Sequence, residues 1–366
     1  GPAGAQTLTA SAGSLTVTFT ANAVAAGRRT LLADLNGRIL DLDAARVLYV
    51  DSSAAVRRVR LRTLSDGSET VVDSGFAGRL TPTGALVVRG TGPTLVELRA
   101  GALTSLGPIG FLHNTSEPLL AVSGSWAAWM TATVGTVIRR DLAAGTNLTV
   151  GTPSAFASRA SLDVGSNGDV VYESYIGGGS GGSSLIRLFH DGTTTDVYNS
   201  SAVGLTRPKT DGGNVVFVTL SLTAGYEQWL WRAGTTERLA RTSVVGSTQQ
   251  IFLDSRTAGG WVAYLQVYQA NTPGQYTQVR LRTPANADEP VSRPTGAGLL
   301  EALCPDGSVV YSEGAFSQGT PIYTRRYIAY RGGPLVDVGP TTGSSVVCRG
   351  GRFFLFSGGA GYELSQ

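Results

Sequence analysis

The chain has 366 residues, 42% hydrophobic and only 15% charged, so it can bury a large core and lies far from the composition of disordered chains. Its 29 basic and 26 acidic residues leave a net charge of +3, with no basic run, which argues against a nucleic-acid partner. No stretch of 18 apolar residues offers a membrane span, so no membrane insertion is expected.

Gly1-Pro2 reads as a protease-cleavage scar, so a removed signal or an upstream domain is expected to precede it. Residues 1–27 are assigned to this remnant and a linker. Within them Leu15-Thr16-Val17-Thr18-Phe19-Thr20 alternates as a strand does. It is expected to pack on the side of the main domain or to end a fused upstream β-domain. Residues 28–366 are assigned to one repeat domain, opening with Arg29–Asp34, an isolated outer strand.

A short β-branched or aromatic run then recurs. It reads Val47–Val50, Ala85–Val88, Trp126–Trp129, Val170–Tyr172, Val215–Val218, Trp261–Tyr264, Val309–Tyr311 and Phe353–Phe356. The starts are 38, 41, 44, 45, 46, 48 and 44 residues apart, the length of a four-stranded propeller blade. Each run follows a turn signal such as Ser166-Asn167-Gly168, Asp211-Gly212-Gly213 or Arg349-Gly350-Gly351. A short strand precedes each turn, for example Leu299–Cys304. An alternating strand follows, as in Val59-Arg60-Leu61-Arg62, and then a polar outer strand, as in Glu69–Asp73. We call these strands a, b, c and d, from inside to outside.

After Phe353–Phe356 only one strand remains, around Tyr362–Leu364. Arg29–Asp34 would supply the missing strand d. The expectation is an all-β fold, an eight-bladed β-propeller of four-stranded antiparallel blades with an N-terminal strand closing the last blade.

The segment Cys304-Pro305-Asp306-Gly307-Ser308-Val309-Val310-Tyr311-Ser312 resembles the Pro-Asp-Gly repeat of TolB-type and WD40-like bacterial propellers. The Trp-Asp and Gly-His marks of true WD40 repeats are missing. The resemblance implies architecture only, because such propellers serve enzymes, receptors and scaffolds alike.

Cys304 and Cys348 each stand five residues before a b run, at equivalent places in adjacent blades. Two readings stay open: a disulfide in an oxidising compartment, or two buried free thiols. Two thiols make no metal site, and no cofactor or metal is expected. His190 reads as a surface turn residue. Asp163, Asn167 and Asp169 fail the calcium-loop spacing and read as a turn. Gly178-Gly179-Ser180-Gly181-Gly182 matches a nucleophile-elbow pattern but reads as linker.

The long connections all fall at one end. The b-to-c loops Glu173–Ser183, Thr219–Tyr226, Leu265–Gln275 and Ser312–Pro321 lie there, with the d-to-a loops Gly107–Pro118, Thr152–Arg159 and Thr242–Ile251. They hold Phe111, His113, Phe156, Arg159, Tyr175, Tyr226, Gln249, Gln250, Tyr268, Tyr276 and Phe316, residue types suited to binding a glycan or protein ligand. The expected function is a non-catalytic, exported propeller that is secreted, periplasmic or on a bacterial cell surface. The alternatives are a polysaccharide lyase using His113, Tyr175, Tyr268 and Arg159, and a structural spacer.

Overall fold

The computed structural model describes residues 4–12, 15–53, 57–90, 92–111, 117–132, 135–153, 161–176, 183–200, 208–221, 225–241, 254–268, 276–294, 296–317, 320–341 and 343–366. All regular structure among them is β-strand, and no helix is long and apolar enough to cross a membrane.

The chain opens with a hairpin of β1 (Gly4–Ala12) and β2 (Leu15–Ala23) that pair with each other. Next come β3 (Ala25–Ala26) and β4 (Arg28–Asp34). A seven-stranded sheet follows: β5 (Gly37–Leu42), β6 (Arg46–Asp51), β7 (Arg58–Thr63), β8 (Glu69–Thr81), β9 (Gly84–Arg89), β10 (Thr94–Arg99) and β11 (Ala102–Pro108). Here β8 serves twice. Its first half pairs with β7 and its second half with β9.

Four four-stranded antiparallel sheets succeed one another. They are β12 (Leu120–Ser123) to β15 (Thr146–Gly151), β16 (Leu162–Val164) to β19 (Thr193–Ser200), β20 (Lys209–Asp211) to β23 (Thr235–Arg241), and β24 (Ser255–Ala258) to β27 (Asp288–Pro290). In the next sheet β28 (Ala297–Leu303), β29 (Val309–Ser317), β30 (Thr320–Ala329) and β31 (Leu335–Pro340) pair in order, with β3 added in parallel on the outer edge. The last is β32 (Ser345–Arg349), β33 (Arg352–Ser357) and β34 (Ala360–Ser365), completed by β4.

The b runs are wholly apolar because alternate residues serve opposite neighbours. Val215 and Phe217 pack against Val171 and Ile186 of the preceding sheet. Val216, between them, packs against Val262 and Tyr264 of the following one. The same exchange joins Leu86 and Val88 to Ala127 and Trp129, and Val310 to Phe353 and Leu355. The last sheet packs on the first through Phe354, Leu42, Val47 and Tyr49. Sheets in chain order, each face covered by the next, form a propeller architecture.

Glycine is required at two of the turns entering a b run. Gly168 and Gly307 have φ of 87° and 86°, in the left-handed region that side chains disfavour. A Cβ on Gly168 would stand 2.7 Å from the Trp126 ring, and one on Gly307 2.8 Å from the Trp261 ring. Each turn therefore lies flat on the tryptophan of the preceding sheet.

Three expectations change. Two of the b-to-c segments read as long loops, Thr219–Tyr226 and Ser312–Pro321, are largely strand, since β21 (Asn214–Ser221) meets β22 (Gly225–Arg232), and β29 meets β30, across only a few residues. Side chains able to pair across strands let the ladder run on past the core. Ala25–Ala26, read as linker, lie on the edge of the β28–β31 sheet, where the Gly27 N–H donates to the Asp337 carbonyl at 2.7 Å. His190 is not a plain turn residue, because its Nδ1 lies 2.7 Å from Oδ1 of buried Asp169.

Candidate functional site

In antiparallel four-stranded sheets the b-to-c and d-to-a connections leave from one end, here called the upper end. The structure places some of the expected residues there. Phe111 bridges to Pro118 and stacks on Phe76 at 5.9 Å between ring centroids. Tyr268, on β25 (Trp261–Tyr268), and Tyr276, on β26 (Tyr276–Arg282), are directly opposite and stack at 4.7 Å with planes 14° apart. Tyr226 is half-buried against Val218 and Val267. Phe316 lies near the tip of β29, paired with Pro321. Tyr175 is on β17 (Val170–Ile176), but its side chain lies outside the described residues. So do His113, Phe156, Arg159, Gln249 and Gln250. Of the described candidates, only Tyr268 and Tyr276 are brought into ring contact with each other.

The upper end also holds a cavity of about 600 Å³ lined by Arg38, Val50, Ser52, Arg57 and Phe76. Arg38 starts strand a of the first unit, Ser52 and Arg57 flank its b-to-c connection, and Phe76 lies in the second half of β8. Val50 is buried floor. Arg38 Nη2 donates to the Phe76 carbonyl at 2.5 Å, which fixes the guanidinium at the rim. Among the described residues neither Arg38 nor Arg57 has a carboxylate partner. Nearby Asp51 is already engaged: the Ser53 hydroxyl and N–H, then Arg60 at 2.8 Å, hold its carboxyl below the usual range. Sequence reasoning missed Arg38, Arg57 and Phe76. The connection before Arg57 is short, and the convergence of the three is tertiary.

A second cavity, of about 310 Å³, runs along the innermost strands. Its charged lining includes Arg79, Asp163, Lys209, Asp211, Arg256, Glu301 and Arg349. Most of these charges are internally matched. Asp211 accepts from the Ser166 N–H and hydroxyl, both at 2.7 Å, and from the Gly259 N–H. Asp163 accepts from the Thr210 N–H at 3.1 Å. Glu301 holds Arg326 at 2.8 Å, and Asp41 holds Arg349 at 2.7 Å. Through Asp163, Asp211 and Asp41 this belt joins several neighbouring sheets, the last to the first among them.

Cys304 and Cys348 form a disulfide beside it, with Cα atoms 5.5 Å apart. Among the described residues no group of three or more His, Cys, Asp or Glu could hold a metal.

No family model matches the chain, and no curated protein does. Among solved structures it is similar to dipeptidyl peptidase 4 of Porphyromonas gingivalis, at 11% identity and a TM-score of 0.53, over 89% of this chain and 56% of that one. The chain thus spans about half the length of that peptidase. It is also similar to the β-propeller domain of the Trilobed protease from Pyrococcus furiosus (10% identity, TM-score 0.47, 84% of this chain and 97% of that one). A third is the oligogalacturonate lyase of Vibrio parahaemolyticus (10%, 0.47, 98% and 97%). At such identities the likeness to the peptidase is one of fold.

Proposed function

We propose that residues 28–366 form an eight-bladed propeller, closed by β4 on β34, that binds a glycan or protein ligand at its upper end without transforming it. On this reading the seven-stranded sheet is two blades sharing β8. Residues 1–27 are an appended segment stitched to the blade edge by β3. The disulfide supports an exported protein, secreted, periplasmic or on the cell surface.

The observation that carries the binding reading is the cavity of about 600 Å³ at the upper end. Concave sites of this size, with apolar walls and a few fixed polar groups, suit ligands. The axial cavity is the weaker candidate, because its acids and bases largely satisfy one another.

The test is a panel of polysaccharides and proteins incubated with the purified chain, scored for retention and for chain shortening. Retention without shortening, reduced when Phe76 is replaced by Ala, is the expected result. Shortening that disappears in His113→Ala would replace this reading with that of a lyase.

A further inference from the structure

We propose that the upper cavity takes a carboxylate-bearing glycan, with Arg38 and Arg57 engaging uronate carboxylates and Phe76 packing against a sugar ring. This rests on the reading of the upper end as a binding site.

The first argument is the use of arginine. Several arginines elsewhere are matched to acids: Arg140 to Glu97 at 2.6 Å and Arg331 to Glu289 at 2.7 Å across blades, and Arg326 to Glu301 at 2.8 Å within one. Arg38 and Arg57 have no such acid partner among the described residues, and they differ from other arginines without one in lying together at one concave site. Both are exposed, both line one cavity, and among the described residues no carboxylate lines it with them. Two unmatched guanidinium groups at one concave site create a positive potential that an anion relieves. The planar guanidinium fork fits a carboxylate with two parallel hydrogen bonds. Arg38 is tied to the Phe76 carbonyl through Nη2 alone, so it is held in place with other N–H groups still available. Ordering it before binding lowers the entropy cost of holding a ligand.

The second argument separates a sugar from a bare anion or a protein. Val50 and Phe76 give the cavity an apolar side, and Phe76 is braced from behind by Phe111. An inorganic anion has no use for that surface, whereas the C–H face of a pyranose does. Ser52 adds a hydroxyl for a sugar hydroxyl. The site is concave and of small-ligand size, unlike the broad patch of about 800 Å² that a protein partner covers.

The experiment is calorimetric titration of the full chain with trigalacturonic acid, neutral galactotriose and a glutamate-rich peptide. It is repeated on Arg38→Gln and Arg57→Gln, exposed changes that keep the melting temperature. Trigalacturonic acid is expected to bind at least about tenfold tighter than galactotriose, and to weaken about tenfold in either variant. Its affinity is also expected to fall between 50 and 500 mM salt, roughly the range over which screening becomes strong. Equal affinity for the two sugars, or variants that bind as the wild type does, would overturn the proposal. Binding of galactotriose alone would leave the upper-end reading standing and remove the acidic ligand. Binding of the peptide alone would replace the glycan with a protein. Binding of none would remove the cavity as a ligand site.

Discussion

Arg349 donates through Nη2 to Oδ2 of Asp41 at 2.7 Å, joining residues 308 positions apart. The same oxygen accepts the Leu80 N–H at 2.9 Å, and Oδ1 accepts the Leu42 N–H at 3.0 Å. One buried carboxylate therefore touches the last sheet, its own strand and the second half of β8.

Asp41→Ala is expected to cost about 2–4 kcal/mol, because it leaves a half-buried guanidinium and a buried N–H without an acceptor. Arg349→Ala should also destabilise, since it leaves the buried Asp41 carboxylate held by the Leu42 and Leu80 N–H groups alone. Urea unfolding of both variants checks this. A loss in Asp41→Ala no larger than that of an exposed surface change would show that the carboxylate does not hold the ends together.

Reducing the Cys304–Cys348 disulfide, or replacing both residues by Ser, is expected to lower stability by about 2–4 kcal/mol. The bond closes a separation of 44 residues between neighbouring blades. Cys304 is fully buried, so native protein should resist mild reductant. Melting curves with and without reductant under denaturing conditions measure the difference. Identical curves would assign the bond no stabilising role.

His190 is expected to titrate above its ordinary value of 6.5, chiefly through its hydrogen bond to Asp169 and against a smaller opposing effect of burial. The native state then holds a proton that the unfolded chain has released. The resulting stabilisation is complete below about pH 6.5 and disappears as the pH rises through the elevated value. With two histidines in the chain, an NMR titration assigns the ring directly, and Asp169→Asn should bring it back down. A His190 titration at or below 6.5 would contradict the pairing.

Glu313 behaves in the opposite sense to an ordinary acid. Burial raises its pKa, Arg293 opposes this at 3.7 Å, and Asp337 adds to it. Oε1 is buried with no hydrogen-bond partner. Below the usual carboxylate range both folded and unfolded forms are protonated and nothing is lost. As the pH climbs through the elevated value, ionising the buried group costs stability. Glu313→Gln is therefore expected to raise the melting temperature at neutral pH and to leave it nearly unchanged at pH 4. A variant that melts lower at pH 7 would show that the ionised form is the stabilised one.

The b runs were legible because burial on both faces demands unbroken apolar residues, and few other elements of that length show this. Arg29–Asp34 was legible by subtraction, from a last repeat lacking its outer strand. The hairpin tips were less so. Ser312-Glu313-Gly314-Ala315 reads as loop, yet β29 continues through it with a register shift after Glu313. Gly75 misleads similarly. It looks like a breaker between strands, but it sits inside β8, where a Cβ would stand 2.6 Å from the Val88 carbonyl oxygen. Close approach, not a turn, selects the glycine. Phe111, Tyr268 and Tyr276 were legible as upper-end aromatics because loop position follows from the repeat. Arg38, Arg57 and Phe76 were not, because they meet through tertiary contact, such as Arg38 on the Phe76 carbonyl, that the repeat pattern does not show.

The pairing of β4 with β34 sets a clock on biosynthesis. β4 leaves the ribosome roughly 330 residues before its partner, which at about 5–20 residues per second is a wait of roughly 20–70 s. Through that interval its backbone N–H and C=O groups toward β34 are an open template for any passing strand. The same interval leaves the exposed apolar rim of the first blade without Phe354. A nascent chain of this protein is thus at greatest risk just before β34 emerges, and a chaperone that shields the unpaired edge of β4 would act over that window.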